Sequence, residues 1–488
     1  MSNFIIKNTP SANDLWQGIG GHFDSLVQII CEFVDNSISN LKANNSSIKN
    51  IIIEFYEEPE IRVVIKDTGT GIKKLDKAFT LGNQDASETP LNKHGFGFKH
   101  ALASANPLND NWKILTRTDE NAKKDEHVVI TAPYQMGSLK AAVEKGWKGP
   151  FRTGTIVEFT CSREMFKTIH RGMRGSYANF NTILDLLVED LGFIYAGNIK
   201  DGDATIVVEK NDNQGGNVTT QVKAIEPDWE QFYQPGNGTA EKDLGKGVVK
   251  IEYSFGGIKE KTDSKKYYKR NMSSSGVELR INGRVLAYNL FKEIWATEKH
   301  NSYNHLLVQI NLVSDKKEYL PPTRTSKNGL REGDEKLDKL YEWIRSHMPE
   351  PPKHLADTDN ELDLIDELKK AKETHLPEPK TVTTEQFAFI SVEEKMRIDL
   401  FISLNGEITL YEGKRDITTL RDLYQLRMYW DGLVMDGHNP KAGILLASSH
   451  SDSVKKMVPI VNKMMDSNGN CYNFVLKTWK DENIKYPK

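Results

Sequence analysis

"NKHGFGFKHALASA", residues 92–105, sets Gly95 and Gly97 one residue apart in front of an alanine-rich run, with Lys99 two positions further on. Bare glycine backbone can approach an anion closely, and a helix start offers unpaired N–H groups and the positive end of a dipole. The stretch fits a phosphate cradle, and it also fits a flexible turn. The segments on either side decide between the two.

Upstream, "CEFVDNSISN" (31–40) lies in a helix expected over 23–42, where Leu26, Ile29, Ile30, Phe33 and Val34 recur at helical spacing. Glu32 and Asn36 are four apart and share one face, with Asp35 beside them. A carboxylate and a carboxamide projecting together can hold a water and a hard cation such as magnesium. "IKNIIIEFYEE" (48–58) and "IRVVIKD" (61–67) read as two strands. Asp67 ends the second and is followed by Gly69 and Gly71. Such an aspartate can accept a hydrogen bond from an exocyclic amine, while glycines let the loop pass under a flat ring. "KKLDKAFTLG" predicts a short helix ended by Gly82, and residues 83–96 a long polar loop. Strands are expected at 112–118, 127–133 and 155–160, the last opened by "TGTIVEF" with Thr155 at its start. This order makes an α/β sandwich, with helices on one face of a mixed sheet.

Helix with Glu/Asn, strand with Asp-x-Gly-x-Gly, loop with Gly-x-Gly and strand with Gly-Thr, in that order, resemble the GHKL ATPases: gyrase, the heat-shock chaperones, histidine kinases and mismatch-repair ATPases. The helix "EFVDNSISN", the lid "LGNQDASETPLNKHGFGFKH" and Lys99 look closest to the MORC branch, and the resemblance spans roughly residues 10–165. It implies a Bergerat-type α/β domain that binds ATP with Mg2+. Glu32 would orient the attacking water and Asn36 would ligate the magnesium. Asp67 would bind adenine, with Gly69, Gly71 and Thr155 around the base, and Asn92, Gly95, Gly97 and Lys99 would form the phosphate lid. Two positions depart from the pattern. Asn92 stands where the lid usually has its first glycine, and Ser39 where an aspartate is common.

Residues 195–348 read as a second α/β unit, with strands near 203–209, 248–254, 277–282 and 306–312 and a closing helix "DEKLDKLYEWIRSHM". "VELRINGRVLAYNLFKEIW" (277–295) reads as a strand, a turn at Asn282-Gly283 and a helix. In GHKL proteins a transducer domain in this place sends a lysine to the γ-phosphate. "LPPTRTSKNGL" (320–330) resembles the corresponding MORC loop, with Lys327 in that lysine's position. "KEKTDSKKYYKRN" (259–271) interleaves six basic residues with two tyrosines. It suits a phosphate backbone and unstacked bases, or a solvated hairpin loop.

Residues 349–380 are Pro-rich and polar around a short charged helix and read as a linker, leaving 381–488 as a third domain. There "RIDLFISLNGEITLYEGKRD" (397–416) makes a hairpin around Asn405-Gly406, with Asp399 on the first strand and Glu412 and Lys414 on the second. Two carboxylates and a lysine at one place can bind a divalent cation and activate water against a phosphodiester. "TTLRDLYQLRMYWDGLVMDG" (418–437) follows as an amphipathic helix bearing Gln425 and Tyr429, and "KAGILLASS" (441–449) as a core strand. Asp, Glu-x-Lys and Gln-x-x-x-Tyr in this order resemble the PD-(D/E)XK nucleases over about residues 385–450. That resemblance implies catalytic Asp399, Glu412, Lys414 and Gln425 with metal on Asp399 and Glu412. Glu361, Glu367 and Glu373 stay open as the acid of the preceding helix.

Composition bounds the rest. The 488 residues exceed one core, and a net charge of −3 excludes a globally basic nucleic-acid binder while allowing a local patch. The three cysteines are scattered, no apolar run approaches the ~18 residues of a membrane helix, and the first residues lack a signal-peptide pattern, so a cytoplasmic protein is expected. The combined expectation is an ATP-gated homodimeric clamp on DNA coupled to a metal-dependent nuclease, in a prokaryotic anti-phage role. The alternative is a MORC-like clamp that binds or compacts DNA while its third domain only docks.

Overall fold

Along strand β1 (Asn50–Glu57) Ile51, Ile53 and Phe55 are buried together, while Glu54 and Tyr56 face the other way toward Lys66 and Arg62. That alternation covers one face of the sheet with helices and leaves the other to ion pairs, such as Lys113 on Glu158 at 2.9 Å. The coordinates are a computed structural model describing residues 12–42, 48–80, 97–135, 137, 139–171, 179–296, 299–324, 329–349, 355–384, 386–392, 396–415 and 417–484. The chain divides into two units, Met1–Pro352 and Lys353–Lys488. Its architecture is mixed α/β.

In the first unit, β1 joins β2 (Ile61–Asp67), β3 (Trp112–Arg117), β4 (Glu126–Thr131), β5 (Lys140–Lys145), β6 (Gly154–Cys161), β7 (Thr205–Asn211) and β8 (Asn217–Gln221) in an eight-stranded sheet ordered β5-β4-β3-β6-β2-β1-β7-β8. The helices are α1 (Ala12–Ile19), α2 (Leu26–Lys42), α3 (Leu75–Phe79), α4 (Gly97–Ala105), α5 (Asp119–Lys123), α6 (Arg163–Lys167), α7 (Phe180–Ile194) and α8 (Ala196–Lys200). Helix α2 buries Leu26, Ile29, Ile30, Phe33, Val34, Ile38 and Leu41, each contributing about 1.5–3 kcal/mol. A domain boundary after residue 194 would cut this sheet. β7 and β8 come later in the chain, yet β7 pairs in parallel with β1 and sends Ile206 and Val208 into the same core.

A second sheet has β9 (Trp229–Asp243), β10 (Val248–Ile258), β11 (Gly276–Ile281), β12 (Arg284–Leu290) and β13 (Leu306–Val313) in the order β12-β11-β13-β10-β9. The helix expected directly after Asn282-Gly283 is instead the strand β12, followed by the single turn α9 (Lys292–Trp295). Both turn residues have positive φ, Asn282 at 49° and Gly283 at 85°, as a two-residue type I′ hairpin requires. Helix α10 (Glu335–His347) closes this layer with Leu337, Leu340, Trp343 and Ile344.

In Lys353–Lys488, α11 (Leu355–His375) is no linker helix: Leu364, Ile365 and Leu368 are buried against Leu400, Tyr411, Ile444 and Trp479. The strands are β14 (Lys380–Thr383), a small pair β15 (Phe387–Ala388) and β16 (Met396–Arg397), β17 (Leu400–Leu404), β18 (Glu407–Gly413), β19 (Ile417–Thr418), β20 (Pro440–Ala447), β21 (Ser449–His450) and β22 (Phe474–Thr478). The main sheet runs β14-β17-β18-β20-β22. Helices α12 (Leu420–Met435) and α13 (Asp452–Val461) cover the face opposite α11, so this unit is a three-layer α/β/α sandwich. Among the described residues, no helix is long and apolar enough to cross a membrane.

Candidate functional sites

Helix α2 carries Glu32 into the first unit, where it is buried. Its carboxyl lies against Gly97, the first residue of α4: a Cβ there would overlap Glu32. A carboxylate at a helix N-terminus faces unpaired N–H groups and a favourable dipole, and only glycine leaves it room. Asn36, half-buried, stands one turn further along α2. The two oxygen donors together suit a hard cation. Lys99 is also buried, with Nζ donating to the carbonyls of Ala78 at 2.8 Å and Thr80 at 3.1 Å. Burial pushes its pKa down to about 8, against the opposing pull of Glu32. Lys99 thus fastens α4 to the end of α3.

Asp67 ends β2, buried beneath three donors. Oδ1 accepts from the N–H of Gly69 at 2.9 Å and of Thr155 at 3.2 Å, and Oδ2 from the Ser37 hydroxyl at 3.2 Å. Burial raises its pKa to about 6 despite those three hydrogen bonds. Gly71, at φ 73°, passes so close to the backbone of Arg117 that a Cβ would stand 2.5 Å from its carbonyl oxygen. Thr116 sits behind the loop, accepting from the Ile72 N–H at 2.7 Å and lying 3.4 Å from the Thr155 hydroxyl. The structure therefore brings Asp67, Gly69, Gly71 and Thr155 together and, separately, Glu32, Gly97 and Lys99. Asn92, Gly95 and Lys327 lie outside the described residues.

The second cluster is where β17 begins and β18 ends. Asp399 sits in the bend one residue before β17, and Lys414 one residue past β18, so neither is on a strand as expected. On β18, Glu412 shares a face with Ile408 and Leu410, which pack under α12. Glu412 is completely buried, and Lys414 Nζ is 2.6 Å from its Oε1. Lys414 and Asp399 both come within hydrogen-bonding reach of the Glu412 carboxyl, yet neither of its oxygens reaches the full geometry of a hydrogen bond. Burial, and then the charge of Asp399, hold the Glu412 carboxyl well above the usual range, with Lys414 opposing. Glu412 is thus enclosed and does not open to solvent. A buried carboxylate with under-satisfied oxygens beside a second carboxylate still fits a divalent cation. Asp399 Oδ2 accepts from the Gly413 N–H at 2.9 Å, and Gln425 donates to the Tyr429 hydroxyl at 2.8 Å on the facing helix. Of the acids left open on α11, Glu367 and Glu373 are exposed. Among the described residues, no three His, Cys, Asp or Glu side chains converge as a metal site.

Residues 24–133 match the family model described as "Histidine kinase-, DNA gyrase B-, and HSP90-like ATPase". They form a GHKL-type ATPase domain. The match takes in Glu32, Asn36, Asp67 and the start of α4. A solved structure described as "Crystal Structure of N terminal domain of a DNA repair protein" is similar at TM-score 0.40 and 14% identity, over 69% of this chain and 100% of that one. Likeness of that extent carries neither fold nor function across. A comparison with curated proteins finds no match.

Around the GHKL domain the structure adds residues that no motif announced. Asp35, between Glu32 and Asn36, is fully buried and paired with Arg284 of β12 at 2.7 Å. Nothing local marks an aspartate in a helix as the partner of an arginine 249 positions away. Ser39 donates to the Asp35 carbonyl, one turn back in its own helix, at 2.9 Å. The basic stretch 259–271 is not an open patch. Lys266 pairs with Asp190 at 2.7 Å, Lys269 with Glu260 at 2.9 Å and Lys261 with Asp228 at 3.3 Å. Tyr267 and Tyr268 are buried, donating to Asp190 at 2.7 Å and Glu278 at 2.8 Å, which removes their rings from stacking on bases.

Proposed function

We propose that the protein is an ATP-dependent DNA-processing protein, a MORC-like clamp that dimerises on ATP and is coupled to a metal-dependent nuclease in Lys353–Lys488, with a role in anti-phage defence. The observation that carries the reading is Glu32 held at the N-terminus of α4 against Gly97, within a family domain that hydrolyses ATP. Glu32 orients the attacking water and accepts its proton, and the N–H groups at the start of α4 receive the phosphates. Asp67 accepts a hydrogen bond from the adenine amine beside Thr155, and Gly71 lets the loop turn at positive φ close against Arg117, beside the ring. Asn36 would hold the magnesium, which when bound neutralises phosphate charge. Lys327 is assigned to the γ-phosphate by the family likeness of its loop.

In the C-terminal unit Asp399 and Glu412 would hold the divalent cation, which when bound activates water and stabilises charge on a phosphodiester. Lys414 adds a cation for the phosphate oxygens, and Gln425 with Tyr429 line the site from α12. The enclosure of Glu412 favours a second reading, in which this unit docks on DNA without cutting it.

The test incubates the purified protein with linear, circular and single-stranded DNA plus magnesium or manganese, under ATP, ADP and no nucleotide. Cleavage lost in Asp399→Ala and Lys414→Ala, with ATP hydrolysis intact, supports the nuclease. Absence of cleavage on every substrate, with ATPase intact, selects the clamp that only binds.

A further inference from the structure

The hairpin β11–β12 reaches out of the second sheet and docks its turn on α8 of the first. Gly197 donates its N–H to the Gly283 carbonyl at 3.2 Å, and a Cβ on Gly197 would stand 2.5 Å from Gly283 Cα. Asn198 donates to the Asn282 carbonyl at 3.1 Å. With the turn fixed, the next residue, Arg284, enters the core beneath α2. Its Nε donates to Asp35 Oδ1 at 2.7 Å and its Nη1 to the Val285 carbonyl at 3.1 Å. The Tyr195 hydroxyl lies 2.9 Å from the same Asp35 oxygen and 2.8 Å from the Cys31 carbonyl. Asp35 is 0% and Arg284 3% exposed. A buried charge is retained only where its partner holds it, so neither side chain can move independently of the other. Arginine's planar group also fixes direction as well as charge.

Asp35 is three residues after Glu32 and one before Asn36. In a helix a tie at Asp35 therefore sets the rotation and axial position of both neighbours. We propose that Arg284 is a positioning residue for ATP hydrolysis: from the second sheet it sets α2 through Asp35, and so holds the Glu32 carboxyl at Gly97. The ATPase is then complete only while the β11–β12 turn is seated, which gives the second sheet control over the chemical step. This inference rests on Glu32 being the water-orienting group.

The experiment measures ATP turnover and the stoichiometry and affinity of a fluorescent ATP analogue. It compares the full-length wild type, Glu32→Ala, Arg284→Gln, Arg284→Lys and the double variant Asp35→Asn/Arg284→Gln. Arg284→Gln should bind nucleotide at full stoichiometry with kcat about 10- to 100-fold lower, as expected for a displaced catalytic group. Arg284→Lys keeps the charge without the fork and should fall between. The double variant leaves no unpaired charge, so it should fold like the wild type and still turn over slowly. Wild-type kcat per bound nucleotide in Arg284→Gln overturns the inference, as does a loss of turnover matched by a loss of binding sites. Should Arg284→Gln not fold, wild-type kcat in the double variant overturns it and reduced kcat at full stoichiometry supports it. Glu32→Ala turning over like the wild type removes the ATPase reading itself, and the inference with it.

Discussion

Replacing Gly97 with alanine separates the role of the glycine in catalysis from its role in folding. A Cβ at this position would overlap the Glu32 carboxyl, with even the farther oxygen only 2.8 Å away. Ordinary contact needs about 3.5 Å, so the carboxyl must move by roughly 1 Å or more. It is the end of a rotatable side chain, and Gly97 lies outside the left-handed region, so the backbone tolerates the change. Alanine in a helix gains about 0.5–1 kcal/mol over glycine. Moving Glu32 from the helix N-terminus gives back about 0.3–1 kcal/mol. The two nearly cancel, and Tm should stay within about 3 °C of the wild type. Catalysis has no such compensation. A misplacement of 1 Å costs about 100-fold, and full loss of a general base about 100- to 10,000-fold. Gly97→Ala should therefore lower kcat by about 100-fold in a steady-state phosphate-release assay, with Tm unchanged by scanning fluorimetry. Adding Glu32→Ala should lower it little further, because both substitutions remove the same function. Gly97→Ala with wild-type kcat, or a double variant whose losses multiply, would refute the argument.

Glu32→Ala alone should bind ATP as the wild type does and lose hydrolysis, which isothermal titration and phosphate release check together. Asp67, with a pKa near 6 in the fold against about 3.9 unfolded, favours the folded state at low pH and loses that contribution as pH rises through about 6. Its carboxylate is also the better acceptor for adenine, so affinity should fall as pH drops through about 6, and Asp67→Asn should bind weakly with that pH step absent. Glu412, buried and raised, costs the folded state increasingly above about pH 4.3, so Glu412→Gln should raise Tm by the equivalent of about 0.5–2 kcal/mol while abolishing any cleavage. A non-hydrolysable ATP analogue should shift the protein toward a dimer in light scattering; an unchanged monomer would exclude the clamp.

What local pattern can announce was legible in the sequence. The helical recurrence from Leu26 to Leu41, the strand pairs, the Asn405-Gly406 hairpin and each short GHKL motif taken singly depend on residues within a few positions of one another. Backbone propensity and side-chain period act over that range. Even there, the Asn282-Gly283 turn opens a strand and not the expected helix, because the β-branched and aromatic run "RVLAY" pairs with β11 and leaves "FKEIW" a single helical turn. Tertiary structure alone decided the rest. It joined β7 to β1 across an interval of nearly 150 residues, buried α11 beneath the C-terminal sheet, and filled a basic-aromatic stretch with its own acids. It also enclosed Glu412 and put Arg284 on Asp35. Burial and charge pairing are properties of what surrounds a side chain in space. No one-dimensional pattern names a partner for Lys266 or Arg284, and only the packed core supplies the carboxylates that make them structural.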